Sequence, residues 1–109
     1  MCVYDIALYI SIVPPNMIIK LNKYMVKERG HVVNLTCLAS GDPPPFYTWT
    51  KNGLTIDGQL NNNNGSLVLS NMTSADDGLY TCWAVNEAGN ISTATNLTIY
   101  GESICTYTE

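Results

Sequence analysis

The chain has 109 residues, of which 46% are hydrophobic and 13% are charged. This length and balance fit one globular domain and argue against both a disordered chain and a two-domain protein. The formal net charge of −4 with only five Lys and Arg residues argues against a nucleic-acid partner and against an anchor on anionic lipid. No segment approaches the roughly 20 apolar residues of a membrane helix, so membrane contact is expected only through other parts of a parent protein.

Residues 1–12 are interpreted as an N-terminal extension or linker, and residues 101–109 as a C-terminal tail or linker. An apolar run from Ile6 to Val13 resembles part of a secretory signal, but Asp5 stands where a positive residue is expected. Pro14-Pro15 also replaces the usual small-residue cleavage site. We therefore expect a fragment of a longer protein whose targeting signal and anchor lie elsewhere.

From Val13 onward, short alternating segments are separated by clusters of Gly, Pro, Asn and Asp. This pattern is typical of a sandwich or barrel of antiparallel strands. In the first clear strand, Val33, Leu35 and Cys37 share one parity and are predicted to face the core. The following segment 41–45 contains three successive prolines, so we expect it to connect two strands.

The second half of the chain continues the same pattern. Further strands are predicted over Phe46–Lys51, Ser66–Ser70, Leu79–Asn86 and Ser92–Tyr100. Asn52-Gly53 predicts a tight turn, since both residues tolerate a positive φ. Residues 61–64 form a polar loop, Leu67 and Leu69 are the expected inward pair, and residues 87–90 are expected to close the last hairpin.

Two of the four cysteines fall at inward positions of predicted strands. Cys37 and Cys82 are 45 residues apart, and Trp49 follows the first by twelve. In a sandwich, inward residues of opposite sheets face each other across about 10 Å, so a disulfide can cross there only if bulk beside it fills the gap. Trp49 supplies that bulk. Four cysteines still allow three pairings.

Several motifs together carry a family resemblance. The segment 76–82, Asp-Asp-Gly-Leu-Tyr-Thr-Cys, resembles the tyrosine corner of immunoglobulin domains. Cys82-x-Ala-x-Asn-x-x-Gly89 resembles the ending of the intermediate type, the I-set. The same family pattern matches three further motifs: Gly41-x-Pro43-x-Pro45, Trp49-x-Lys51-Asn52-Gly53 and Ser66-Leu67-x-Leu69. The resemblance covers about residues 13–100.

This resemblance implies an all-β fold, a two-sheet antiparallel Greek-key immunoglobulin-like sandwich over residues 13–100. It also implies a core disulfide between Cys37 and Cys82. The accompanying core signature is Trp49, Asp76, Gly78 and Tyr80. One departure is that no cation lies between Ile56 and Gly65 to pair with Asp76, which we expect instead to cap the following turn. Cys2 and Cys105 are expected to lie at junctions with neighbouring modules or to be unpaired.

Five Asn-x-Ser/Thr sequons are glycosylation candidates, and they begin at Asn34, Asn64, Asn71, Asn90 and Asn96. Asn34 and Asn96 are expected at outward strand positions on opposite sheets, and the other three in loops. By parity with Cys82, Trp83 points outward with Thr81 and Val85 beside it. We interpret these three residues as a binding face, because exposed aromatics often anchor interfaces. The alternative is that a neighbouring side chain or an Asn96 glycan simply covers Trp83.

The favoured function is an extracellular protein-binding module of a cell-surface or matrix protein, in cell adhesion or receptor recognition. Its partners would be proteins, homophilic or heterophilic, and neighbouring immunoglobulin-like domains of the parent chain. Two alternatives are a passive spacer in a tandem array and an intracellular muscle-type I-set bead. His31 is the single histidine and has no apparent catalytic or metal-ligand set around it, so we expect no enzyme, metal or cofactor.

Overall fold

A computed structural model describes residues 12–56 and 65–101. Within those ranges the chain forms nine β-strands and one short 3-10 helix, Ser74–Asp76. The strands are β1 (Val13–Ile19), β2 (Tyr24–Glu28), β3 (Val33–Thr36), β4 (Leu38–Asp42), β5 (Phe46–Lys51), β6 (Leu54–Thr55), β7 (Ser66–Leu69), β8 (Gly78–Asn86) and β9 (Gly89–Tyr100). Cys2, Cys105 and Asn64, for which predictions were made from the sequence, lie outside the described residues.

The strands pack as two layers. One layer is a five-stranded sheet in the order β2-β9-β8-β5-β6, in which β2 runs parallel to β9 and the other neighbours are antiparallel. In the other layer, β3 and β4 follow each other across the single residue Cys37 and pair with β7 and β1. The predicted all-β immunoglobulin-like sandwich is therefore confirmed.

The core lies between the two layers and follows the predicted alternation. Val33, Leu35 and Cys37 are buried while the residues between them are exposed, as a strand with one wet face requires. Leu67 is also buried as expected, and Leu69 is partly buried. Met72, which follows β7, is completely buried although no periodic pattern marks it.

Connections differ from the sequence prediction in two places. Gly41 and Asp42 belong to β4, so the connection to β5 consists of the three prolines alone. The last hairpin has a two-residue turn, residues 87–88, and β9 begins at Gly89. The tight turn at Asn52-Gly53 is confirmed, since their φ angles are 51° and 86°.

The first and last strands end at opposite poles of the sandwich. Val13 at the start of β1 lies beside β4 and accepts a hydrogen bond from the Asn86 side chain, 2.8 Å. Tyr100 at the end of β9 accepts from the backbone of Arg29, 2.8 Å. Twelve extended residues of β9 separate the poles by about 40 Å. The described residues contain no helix that could span a membrane.

Candidate protein-binding face

The disulfide and Trp49 form the centre that holds the two layers together. Cys37 and Cys82 are bonded, with their Cα atoms 6.6 Å apart. Trp49 on β5 lies directly opposite Cys82 in the β5–β8 register and is 0% exposed. Its indole thus fills the space beside the disulfide. The close packing at this point holds the two sheets, and with them the residues that point outward, in fixed positions.

Tyr80 ties the chain before β8 to the core. Its hydroxyl donates to the backbone carbonyl of Asp76, 2.7 Å, as in a tyrosine corner. Burial, followed by the negative charges of Asp76 and Asp77, raises the pKa of Tyr80 to about 12. The phenol therefore keeps its proton and stays a hydrogen-bond donor at physiological pH.

The two aspartates at this corner have structural bonds. The Asp76 carboxylate accepts from the backbone of Thr73, 2.8 Å, which closes a capping box on the 3-10 helix. It thus caps the preceding helical turn rather than the following turn that we expected. Asp77 accepts from the backbone of Ile99, 2.6 Å. At Gly78, an added Cβ would lie 3.0 Å from the side-chain amide of Asn52, so this position favours glycine.

Thr81, Trp83 and Val85 lie in one outward row on β8, the middle strand of the five-stranded sheet. Trp83 is 38% exposed and Val85 is 40% exposed, while Thr81 is half-buried. Opposite them on β5, Thr48 pairs with Trp83 and Phe46 pairs with Val85. We call these five residues the outer face. Phe46 is 49% exposed and was missed by the sequence reasoning.

A shallow groove of about 330 Å³ lies at the end of this outer face. Its lining includes Pro43, Pro44, Phe46, Thr48, Val85 and Glu87. Asn86, also in the lining, donates to the carbonyls of Val13 and Pro43, 2.8 and 2.9 Å, and accepts from Ala88, 2.9 Å. These bonds hold the proline segment, β1 and the hairpin turn together, so the groove is formed before any partner arrives.

The face is uncharged. Among the described residues that point outward on β5, β8 and β9, none carries a formal charge, whereas Glu87 in the hairpin turn is exposed and lines the groove. At the opposite edge of this sheet, β2 pairs with β9 on one side and with no described strand on the other. It carries Lys27, and a lysine on an open edge discourages the addition of a strand from another chain. A partner would therefore meet an apolar and hydroxyl-bearing face rather than a charged patch.

Of the four described sequons, three begin in strands and one begins in a turn. Asn34 is exposed on β3, and Asn71 lies in a turn with a φ of 52°. Asn96 is exposed on β9, as expected. The prediction that Asn90 lies in a loop was wrong, because the hairpin turn is short and Asn90 already belongs to β9, opposite Val85. Two sequons thus lie on the same side of the five-stranded sheet as Trp83.

The matching family model agrees with this geometry. A model described as "Immunoglobulin domain" matches residues 14–86. The chain belongs to the immunoglobulin domain family. The matched span contains both cysteines of the disulfide, Trp49, the tyrosine corner and the outward residues Thr81, Trp83 and Val85 of β8.

Curated relatives contain this immunoglobulin domain as a small part of a longer chain. Protein turtle homolog A from Homo sapiens is 35% identical over 91 residues, which cover 83% of this chain and 8% of that protein. Hemicentin-1 from Homo sapiens is 37% identical over 91 residues, covering 81% of this chain and 2% of that protein. The chain therefore spans less than a tenth of either relative.

Solved structures share the architecture of this immunoglobulin domain. The Sidekick-1 immunoglobulin domains 1–4 superpose with a TM-score of 0.76 at 25% identity, covering 83% of this chain and 25% of that one. A titin M10–obscurin-like 1 Ig complex gives a TM-score of 0.70 at 26% identity, covering 81% of this chain and 95% of that chain.

The titratable residues that the structure describes form no cluster suited to metal binding. His31 is exposed and lies 3.3 Å from Glu28, its neighbour three residues earlier. No group of three His, Cys, Asp or Glu residues within 12–56 and 65–101 could hold a metal ion. Among the described residues, the outer face and its groove are the candidate functional site.

Proposed function

We propose that this immunoglobulin domain is an extracellular protein-binding module of a cell-surface or matrix protein, acting in cell adhesion or receptor recognition. The domain would span residues 13–100, with residues 1–12 and 101–109 as linkers. The binding surface would be the outer face around Trp83, Val85 and Thr81. The observation that carries the proposal is that this face is apolar, uncharged and preformed beside a groove on a disulfide-held sheet.

A protein partner fits this face better than a small molecule or a nucleic acid. Trp83, Phe46 and Val85 present exposed aromatic and aliphatic area in one contiguous patch, and buried aromatic anchors provide much of the energy in protein interfaces. A structurally similar chain comes from a complex described as titin M10 with an obscurin-like 1 Ig domain. We therefore propose another immunoglobulin domain, of the same or a different chain, as the class of partner.

Extracellular location is supported by chemistry. The Cys37–Cys82 disulfide is buried between the layers, and such structural disulfides persist mainly in oxidising compartments. Asn34, Asn90 and Asn96 are exposed at their sequons, where the glycosylation machinery of the secretory pathway can leave a sugar without burying it.

The second candidate function is a bead in a tandem array, either a passive spacer or an intracellular bead. The strands that begin and end the fold lie at opposite poles, so neighbouring domains would follow in line. The chain also spans only 8% and 2% of two relatives, and titin domain M7 is structurally similar. In this case the outer face would have no partner.

A binding experiment separates the two candidates. The domain, produced without glycans in an oxidising bacterial periplasm, would be immobilised on beads and tested against itself and a panel of secreted immunoglobulin-domain proteins. Trp83→Ala should weaken capture at least tenfold, the effect of an interface residue worth about 1.4 kcal/mol. Val68→Ala is the matched control, because Val68 is 59% exposed on β7 of the other sheet.

The results decide between binding and spacing. Loss of capture with Trp83→Ala and unchanged capture with Val68→Ala would support the outer face. Equal capture by both variants would refute it as the binding surface. If the domain captures neither itself nor any panel member, the spacer becomes the better explanation.

A further inference from the structure

The cross-strand register places one sequon next to Val85, a residue that lines the groove. Asn90 starts the sequon Asn90-Ile91-Ser92 and is exposed on β9, directly opposite Val85 of β8. Trp83 is opposite Ser92 and is therefore the diagonal neighbour of Asn90. Directly opposite residues have Cβ atoms about 5 Å apart, and diagonal ones about 7–8 Å. A sugar on Asn90 would begin within contact of both residues.

The other sequons of the described residues begin farther from Trp83. Asn71 precedes Met72, whose carbonyl accepts a hydrogen bond from Gly30 at the pole where β9 ends. Asn96 is opposite Leu79, and six residues of extended β9 place it about 20 Å from Asn90. Asn34 pairs with Val68 in the other layer. The structure thus singles out Asn90, whereas the sequence suggested Asn96 as the glycan that would cover Trp83.

The patch beside Asn90 matches the chemistry of an N-glycan core. The core sugars are neutral, and the faces of their rings present C–H groups that gain by leaving water against apolar surface. Phe46, Val85 and Trp83 are exposed by 49%, 40% and 38%, and Thr48 adds a hydroxyl to the same groove. Glu87 also lines the groove but is exposed, so a neutral sugar can lie there while the carboxylate stays in contact with water.

We propose that Asn90 carries an N-linked glycan whose first sugars lie in the groove and shield Trp83, so that the outer face binds its partner only in copies that lack this glycan. The inference rests on the proposed function, since it requires passage through the secretory pathway and the same face. It makes glycan occupancy at one asparagine the regulator of binding.

The two tryptophans allow a direct measurement. Trp49 is 0% exposed and Trp83 is 38% exposed, so acrylamide quenching of the domain reports mainly on Trp83. The protein would be secreted from eukaryotic cells, and glycopeptide mass spectrometry would give occupancy at each asparagine. Asn90→Gln should raise the quenching constant at least twofold relative to the glycosylated protein, whereas Asn34→Gln, the matched control, should leave it unchanged.

A second comparison removes the effect of the substitution itself. In protein made without glycans, wild type and Asn90→Gln should quench equally, and both should capture partners on the beads as well as glycosylated Asn90→Gln does. An unoccupied Asn90 in protein whose Asn34 is occupied would overturn the inference and leave the extracellular proposal standing. An occupied Asn90 with unchanged quenching on its removal would also overturn it. Bare asparagines with reduced cysteines would instead overturn the proposed extracellular function.

Discussion

The Cys37–Cys82 disulfide gives the most direct test of how this immunoglobulin domain is stabilised. The bond closes a loop of 45 residues and links the two layers. In the chain-entropy description, a loop of this length destabilises the unfolded state by about 4 kcal/mol. Domains typically have a total stability of about 5–15 kcal/mol, so reduction should remove a large part of it.

We expect reduction by a phosphine to lower the free energy of unfolding by about 4 kcal/mol. With a urea slope of about 2 kcal/mol/M, the midpoint falls by about 2 M. The assay is urea unfolding followed by tryptophan fluorescence, with Trp49 as the buried reporter. The control is the double variant Cys37→Ala/Cys82→Ala, in which the phosphine should cause no further shift.

A midpoint shift below about 0.5 M on reduction of the wild-type protein would refute this reasoning. The domain would then keep its stability without the bond, and the disulfide would no longer support an oxidising compartment. A shift of similar size in the double variant would show that other cysteines contribute.

Two further predictions concern residues of the core. Met72→Ala should lower the free energy of unfolding by about 2–5 kcal/mol, because Met72 is completely buried and its truncation leaves a cavity. The control is Leu54→Ala at a position that is 75% exposed, which should lower the free energy of unfolding by less than about 0.5 kcal/mol in the same urea titration. The pKa of Tyr80 is about 12 in the folded state, against 10.0 for the ordinary phenol. Its contribution to the free energy of unfolding is therefore complete below pH 10 and is lost as the pH rises from 10 to about 12. Unfolding measured across this range should show that loss, and Tyr80→Phe should remove the part due to this residue; an equal pH dependence in both proteins would contradict the assignment.

The elements that the sequence predicted well are those decided by short-range patterns. Val33, Leu35 and Cys37 alternate with polar residues, and a strand with one buried face follows from a period of two. Asn52-Gly53 marks its turn because few other pairs tolerate two positive φ angles. The burial of Met72 was not predicted, since Met72 lies outside a strand and its burial depends on how the segment after β7 packs against the core.

Phe46 and Asn90 show what local patterns cannot supply. Parity along β8 identified Trp83 and Val85 as outward residues, yet nothing in that strand tells which residues of β5 and β9 lie beside them. The two-residue turn after Asn86 sets the β8–β9 register, and that register moves Asn90 from an expected loop to a position against Val85.

By itself, the sequence determined a sandwich or barrel of short strands with an outward row on β8, because periodicity and turn residues are properties of consecutive positions. The resemblance of its motifs to the immunoglobulin I-set added the expected sandwich topology and the Cys37–Cys82 disulfide. Only the tertiary structure decided that Phe46, Val85 and Asn90 share one patch beside a groove. The physical reason is that cross-strand neighbours depend on register and turn length, which arise when separate segments pair, and a binding face is made of such neighbours.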